Sequence, residues 1–285
     1  MNPIHLSKIR HNLKNAVFHN DVERVLEIVE QNPQIDKYSA LFEAIKHERK
    51  DCFEVLFNHV TADERSAIYE EGGLLLYLAL ETKQFYVFER LFDMVGTDDL
   101  TDGLFYAAIR AGDKVCFELL TPHLPPELDN AVLRAVEYGQ LEFLPTLLQH
   151  YGVNSYAPLN KAMIHPFYPE EFLDLLVPYC SVNYLHTALC EAVEFLASYV
   201  PQLIGLCDPK AKDSEALFLS LTHQRFDLAT LLAPLSEPAV VLHRLNDMGR
   251  HPAAVAWLEE WMAQDLNTRI IGSIDSGVAG PARKM

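Results

Sequence analysis

Apolar and small residues recur along the chain in a fixed order. Leu41 is followed by Ala44 three positions later, and then by two further apolar residues, Phe53 and Leu56. The same order, with looser matches from residue 159 onwards, begins at positions 13, 41, 76, 105, 132, 159, 189, 217 and 242. In the copy at 189, Pro201 stands where an apolar residue is expected. Nine near-even copies are not expected by chance, so the pattern predicts a repeat protein.

Each copy predicts two short helices joined by a polar turn. Residues three apart are neighbours on a helix, so the first apolar residue and the small residue share one face. The second helix carries an apolar stripe at helical spacing, as in residues 22–29. Neither helix of a copy can bury its apolar face by itself, but stacked copies bury one another's apolar faces. We therefore expect an all-α solenoid of about eight to nine stacked helix-turn-helix repeats over residues 1–265, and a flexible C-terminal tail over residues 266–285.

Two stretches carry a family resemblance. Residues 107–120 (AAIRAGDKVCFELL) and 15–29 (NAVFHNDVERVLEIV) resemble the helical half of an ankyrin repeat, and the likeness extends over residues 13–262. The family's Thr-Pro-Leu-His tetrapeptide does not occur intact in this sequence. Most copies are also shorter than an ankyrin repeat, which has about 33 residues. The resemblance implies protein binding by stacked helix pairs, with short loops in place of the family's projecting β-hairpins. A solenoid of the TPR or HEAT kind is the structural alternative.

Acidic charge is concentrated in the middle of the chain. The 285 residues have a formal net charge of −17, which argues against a nucleic-acid partner. Residues 115–209 contain eleven acidic side chains but only Arg134 and Lys161 as basic ones, together with seven of the twelve tyrosines. Tyrosine is enriched at protein interfaces, and carboxylates accelerate association with a basic partner. These features predict an acidic, tyrosine-rich binding face, and the alternative is a solvated exterior with tyrosines that pack between repeats.

The residues placed nearest the partner come from turns and first-helix ends. They are Glu137, Tyr138, Glu142, Tyr156, Tyr168, Glu170, Glu171, Tyr184 and Glu194. Asp98 and Asp99 are weaker candidates.

We find no complete catalytic or cofactor-binding motif in the sequence. His186 and Cys190 lie four apart, as in half a zinc site or a nucleophile–base pair, but they overlap the repeat pattern and are interpreted as packing residues. His165, Glu170 and Glu171 cluster around two prolines in what we expect to be an irregular loop. Phosphate-binding, dinucleotide-binding, zinc-protease and hydrolase motifs do not occur. We expect no enzyme activity, no cofactor and no metal.

The predicted function is protein binding without chemistry. The chain lacks a secretory signal and any run of about 18 apolar residues, and its five cysteines are scattered, so we expect a cytoplasmic protein with no membrane span. The first hypothesis is an acidic binder that neutralises a basic protein by occlusion, as a toxin-immunity protein does. One alternative is an ankyrin-like effector or adaptor that engages a host or regulatory protein. The other is an enzyme hidden in residues 189–285, which would break the repeat pattern there.

Overall fold

The chain is all-helical wherever the structure describes it. The computed structural model describes residues 3–94, 100–128 and 130–277. Helix accounts for 76% of the residues, and this part of the chain contains no strand. Its 18 α-helices pack in neighbouring pairs, each odd-numbered helix against the one that follows it. The first helix of every pair contains the start of one sequence copy.

The chain divides into two compact units, Met1–Gly152 and Val153–Met285. Helices of the first unit are α1 (Pro3–Phe18), α2 (Val22–Gln31), α3 (Tyr38–Lys46), α4 (Lys50–Asn58), α5 (Ala62–Glu81), α6 (Phe85–Phe92), α7 (Asp102–Ala111), α8 (Lys114–Leu120), α9 (Ala131–Glu137) and α10 (Leu144–Tyr151). Helices of the second unit are α11 (Ala157–Met163), α12 (Pro169–Leu176), α13 (Val182–Phe195), α14 (Val200–Ile204), α15 (Ala211–Thr222), α16 (Phe226–Leu232), α17 (Pro238–Met248) and α18 (Pro252–Gly277).

The first helices of successive pairs form a row inside each unit. In the first unit, α1, α3, α5, α7 and α9 pack one against the next, and in the second unit α11, α13, α15 and α17 do the same. The small residue of the pattern lies in the first helix and is buried in each copy that has one, as at Ala44, Ala162 and Ser220. An alanine or serine at this position lets neighbouring helices approach closely, because a larger side chain would hold them apart.

One turn geometry joins the two helices of most pairs. The seventh residue after the start of a copy has a positive φ in seven of the nine copies, at Asn20, Glu48, Lys83, Gly112, Gly139, Gln224 and Gly249. In five of them the next backbone N–H donates to the carbonyl of the buried small residue over 2.7–2.9 Å, as from Arg49 to Ala44. A left-handed residue followed by a hydrogen bond from an N–H to the carbonyl five residues earlier is the Schellman ending of a helix. The copies at 159 and 189 lack it, with Pro166 and Leu196 at the corresponding position.

The last helix is longer than the sequence pattern predicts. We expected a flexible tail from residue 266, but α18 has 26 residues and continues through 266–277, while 278–285 lie outside the described residues. Its second half presents Leu266 and Ile271 to solvent. No helix in the described part of the chain is long and apolar enough to cross a membrane.

Candidate protein-binding surface

The predicted partner-binding residues are divided between the two units. Glu137, Tyr138 and Glu142 belong to the first unit, and the other six belong to the second. Asp98 and Asp99 lie outside the described residues.

In the first unit the three candidates surround the turn between α9 and α10. Glu137 is already neutralised, since its carboxylate lies 2.8 Å from Arg134 Nη1. Tyr138 ends α9 and is exposed. Glu142 is also exposed, beside a shallow groove in which the rings of Phe117 and Phe143 stack 4.2 Å apart.

In the second unit an aromatic loop joins α11 to α12. Phe167 is 75% exposed, and Ile164 and Tyr168 are about half exposed. His165 holds the loop in place, because its Nδ1 accepts a hydrogen bond from the backbone N–H of Tyr168 (3.3 Å) and its ring packs 4.8 Å from Phe172. Burial and the charge of Lys161 lower the pKa of His165, which keeps the ring neutral and able to accept.

Carboxylates follow this loop directly. Glu170 and Glu171 occupy the first turn of α12, where the helix dipole favours negative charge, and Pro169 starts the helix. Ser198 Oγ donates to Glu170 over 2.6 Å, which brings the end of α13 beside the aromatic loop. Glu194 and the half-exposed Phe195 lie at that end. We call Ile164, Phe167, Tyr168, Glu170, Glu171, Glu194 and Phe195 the acidic–aromatic surface.

Tyr156 and Tyr184 lie elsewhere, at the opposite, N-terminal ends of α11 and α13. Their rings are 6.4 Å apart. The Tyr156 hydroxyl donates to Glu191 (2.7 Å), a carboxylate that also accepts from Asn160, and the Tyr184 hydroxyl donates to the Asn154 carbonyl. Burial and the bond to Glu191 raise the pKa of Tyr156. These two tyrosines use their hydroxyls inside the unit, in the manner of packing residues.

Carboxylates of the first unit and carboxylates of residues 153–209 differ in whether they form ion pairs. In the first unit seven carboxylates form ion pairs with lysine or arginine. Between residues 153 and 209, the described residues show no ion pair for any carboxylate. The six carboxylates concerned are Glu170, Glu171, Asp174, Glu191, Glu194 and Asp208. No described lysine or arginine neutralises these carboxylates, and Glu170, Asp174 and Glu191 accept hydrogen bonds from side-chain hydroxyls instead.

Sequence reasoning missed Ile164, Phe167 and Phe195 as parts of the surface. Ile164 and Phe167 follow α11, and Phe195 ends α13; these are the first helices of the two copies without the left-handed turn. Pro166 has no backbone N–H and a φ fixed near −65°, so it cannot adopt the conformation found in the other copies. A proline or leucine at a position that elsewhere favours Asn or Gly is the signal that could have located them.

His186 and Cys190 form a polar pair within α13. Cys190 Sγ lies 3.8 Å from His186 Nε2, and burial raises the pKa of the Cys190 thiol to about 11, so the thiol stays protonated at neutral pH. In the ranges that the structure describes, no three His, Cys, Asp or Glu side chains are grouped so that they could hold a metal ion.

Comparisons of the chain with protein-family models, with curated proteins and with solved structures find no match.

Proposed function

We propose that this chain is a non-catalytic, ankyrin-like repeat protein that binds a basic protein through the acidic–aromatic surface and blocks it by occlusion, as a toxin-immunity protein does. The observation that carries the proposal is that Glu170, Glu171 and Glu194, none of which forms an ion pair with a described residue, lie around an exposed aromatic loop.

Local geometry supports the repeat array. A left-handed residue recurs at the same position of seven copies, and in five of them the next N–H donates to the carbonyl of the buried small residue. Each first helix packs on the next first helix within its unit. A stack of this kind leaves one edge of turns exposed as an extended binding surface.

Electrostatics and aromatic exposure support the choice of partner. Unpaired carboxylates attract a basic surface over a distance of about a Debye length, about 8 Å at physiological salt, and so raise the association rate. Phe167 and Tyr168 supply rigid apolar area, which is typical of the residues that contribute most to an interface. A basic partner brings the cations that these carboxylates lack, and it buries the exposed rings.

Charge reversal tests the proposal. Partners are first captured on the full-length protein at low salt and identified by mass spectrometry, and association with the recovered basic protein is then timed by stopped flow. The variant Glu170→Lys/Glu171→Lys/Glu194→Lys should associate at least tenfold more slowly than the wild type at 20 mM salt, because steering depends on local charge.

The control Glu237→Lys/Glu259→Lys/Glu260→Lys changes the total charge by the same amount at exposed positions away from the surface. It should associate at a rate close to the wild type. Equal slowing by both variants would show that only the total charge matters, and an unchanged rate for the first variant would contradict the proposed surface.

A further inference from the structure

His165 connects the exposed aromatic loop to the buried part of the second unit. Its backbone N–H donates to the Ala162 carbonyl near the end of α11, and its ring packs edge-on against the buried Phe172 of α12. The same ring lies 6.3 Å from the ring of Tyr168, roughly parallel to it, and 6.2 Å from the ring of Phe167. The two exposed rings of the loop therefore rest on a histidine that is itself held by the core.

Two backbone N–H groups define the protonation state of this histidine. The N–H groups of Phe167 and Tyr168 both point at Nδ1, with N···N distances of 3.5 and 3.3 Å. A backbone N–H donates and never accepts, so Nδ1 is the acceptor and carries no proton, and the proton of the neutral ring is on Nε2. The observed loop geometry therefore requires the neutral form of His165.

A proton on Nδ1 would reverse these contacts. Three N–H groups would then face one another, so both hydrogen bonds would be replaced by repulsion. Both bonds are already longer than the usual distance of about 2.9–3.0 Å, and their loss would separate the loop backbone from the ring that ties it to Phe172.

The charged groups on the elements around His165 determine how this proton acts. Burial and the charge of Lys161, on α11, lower the pKa of His165 below its ordinary value of 6.5. The order that the neutral ring provides is therefore complete above pH 6.5, and it is lost as the pH falls through the lowered pKa. Glu170 and Glu171 on α12, with Glu194 at the end of α13, are the carboxylates of this surface, and a positive charge on the ring would offset part of their negative charge.

We propose, on the basis of the function proposed above, that His165 is the positioning residue of the acidic–aromatic surface: its unprotonated Nδ1 fixes the loop that presents Phe167 and Tyr168, and a proton taken up from solvent at that atom releases the loop. Binding of a basic partner then weakens as the pH falls, because the rings lose their fixed position and because the surface gains a positive charge.

The response of the loop is measured first, on the full-length protein without a partner. Backbone 15N relaxation of Phe167 and Tyr168 and the ring nitrogen signals of His165 are recorded in steps from pH 7.5 to 5.0. We expect backbone order parameters of about 0.85 at pH 7.5 and below about 0.6 at pH 5.0, with the midpoint of the change at the pKa of the His165 ring. A loop that stays rigid while the ring titrates, or a ring that stays neutral down to pH 5.0, overturns the proposal.

Three substitutions separate the acceptor from the titration. His165→Asn places Oδ1, an acceptor that does not titrate, close to the position of Nδ1, so its loop should stay rigid at both ends of the pH range. His165→Leu has no acceptor, and its loop should be mobile at both ends. His223→Asn makes the matched change at an exposed histidine that follows α15, and should keep the pH profile of the wild type. A mobile loop in His165→Asn at pH 7.5 would show that the imidazole acts by packing alone, and would overturn the proposal.

Binding is then measured with octa-arginine at 20 mM salt. Arginine keeps its charge throughout this pH range, and guanidinium groups stack on aromatic rings, so the pH dependence comes from the protein. From pH 7.5 to 5.0 the dissociation constant of the wild type should rise about fivefold more than that of His165→Asn, which has the same carboxylates. An equal rise in both proteins overturns the link between the loop and binding. If Glu170→Lys/Glu171→Lys/Glu194→Lys binds octa-arginine as tightly as the wild type at pH 7.5, the proposed binding surface is contradicted instead, whatever the loop does.

Discussion

At the scale of single residues, Lys37 shows how a charged side chain can belong to the core. It is completely buried, and its ammonium group contacts the carbonyls of Pro33 and Ile35 and both carboxylate oxygens of Glu64, at 2.9–3.2 Å. Glu64 also accepts from the backbone N–H of Thr61 in the capping box that begins α5. One ion pair therefore ties the loop before α3 to the start of α5.

We predict that Lys37→Met lowers the free energy of unfolding by about 3 kcal/mol, because removal of the ammonium group leaves Glu64 without its cation and two carbonyls without a donor. Urea unfolding followed by circular dichroism measures the change. Lys46→Met, at an exposed site at the end of α3, should stay within about 0.5 kcal/mol of the wild type. Adding Glu64→Gln to Lys37→Met should recover part of the loss, and a Lys37→Met protein as stable as the wild type would contradict this role.

Residue identity alone did not decide which tyrosines are available to a partner. The sequence predicts Tyr156, Tyr168 and Tyr184 as equivalent contact residues. Tyr156 and Tyr184 use their hydroxyls within the second unit, whereas Tyr168 lies exposed beside Phe167. The difference arises from Glu191 and Asn154, which lie 35 and 30 residues away along the chain and are brought near only by packing.

At the scale of elements, the left-handed residue marks where the second helix of a pair begins. It follows the first helix at the same position of seven copies, and in five of them the second α-helix starts two residues later. Some copies place glycine at this position and others place a residue with a side chain, such as Gln224. A left-handed conformation costs a residue with a Cβ about 1–2 kcal/mol relative to glycine.

We predict opposite effects at two equivalent turns. Gly249 has a φ of 61° and open space where a Cβ would lie, so Gly249→Ala should destabilise the protein by about 1 kcal/mol through backbone strain alone. Gln224→Gly, at a φ of 58°, should stabilise it by about 0.5 kcal/mol after the larger chain entropy of unfolded glycine is included.

Thermal and urea unfolding of both variants measure these changes. If both substitutions lower the free energy of unfolding, or both raise it, the two turns are not equivalent.

At the scale of the whole molecule, the proposed array has consequences for stability. In a stack, each pair contacts only its neighbours, so stability is nearly a sum of local terms. The final pair, α17 and α18, packs on α15 through α17. A globular domain with one shared core would instead lose its fold when an equivalent part is removed.

We predict that a chain ending at residue 235 stays folded. It lacks α17 and α18, of 11 and 26 residues, and should lose far-UV ellipticity only in proportion to them. Its unfolding should remain cooperative at a lower temperature, because the face of α15 around Leu217 loses its cover. Loss of most of the ellipticity would contradict an array and favour a single shared core in the second unit.

The amino-acid sequence by itself determined the helices and their pairing. Apolar and small residues at helical spacing identify a buried face whatever the neighbours are, so the nine starts fall in nine first helices. The sequence also located the excess of acidic charge, because charge is a property of composition.

Only the tertiary structure decided which carboxylates lack a cation and which tyrosines are engaged. These features depend on contacts between residues of different repeats, such as Tyr156 with Glu191 and Glu170 with Ser198. A periodic pattern specifies that repeats stack, but the side chains that meet across a stack are fixed by the packing of particular helices.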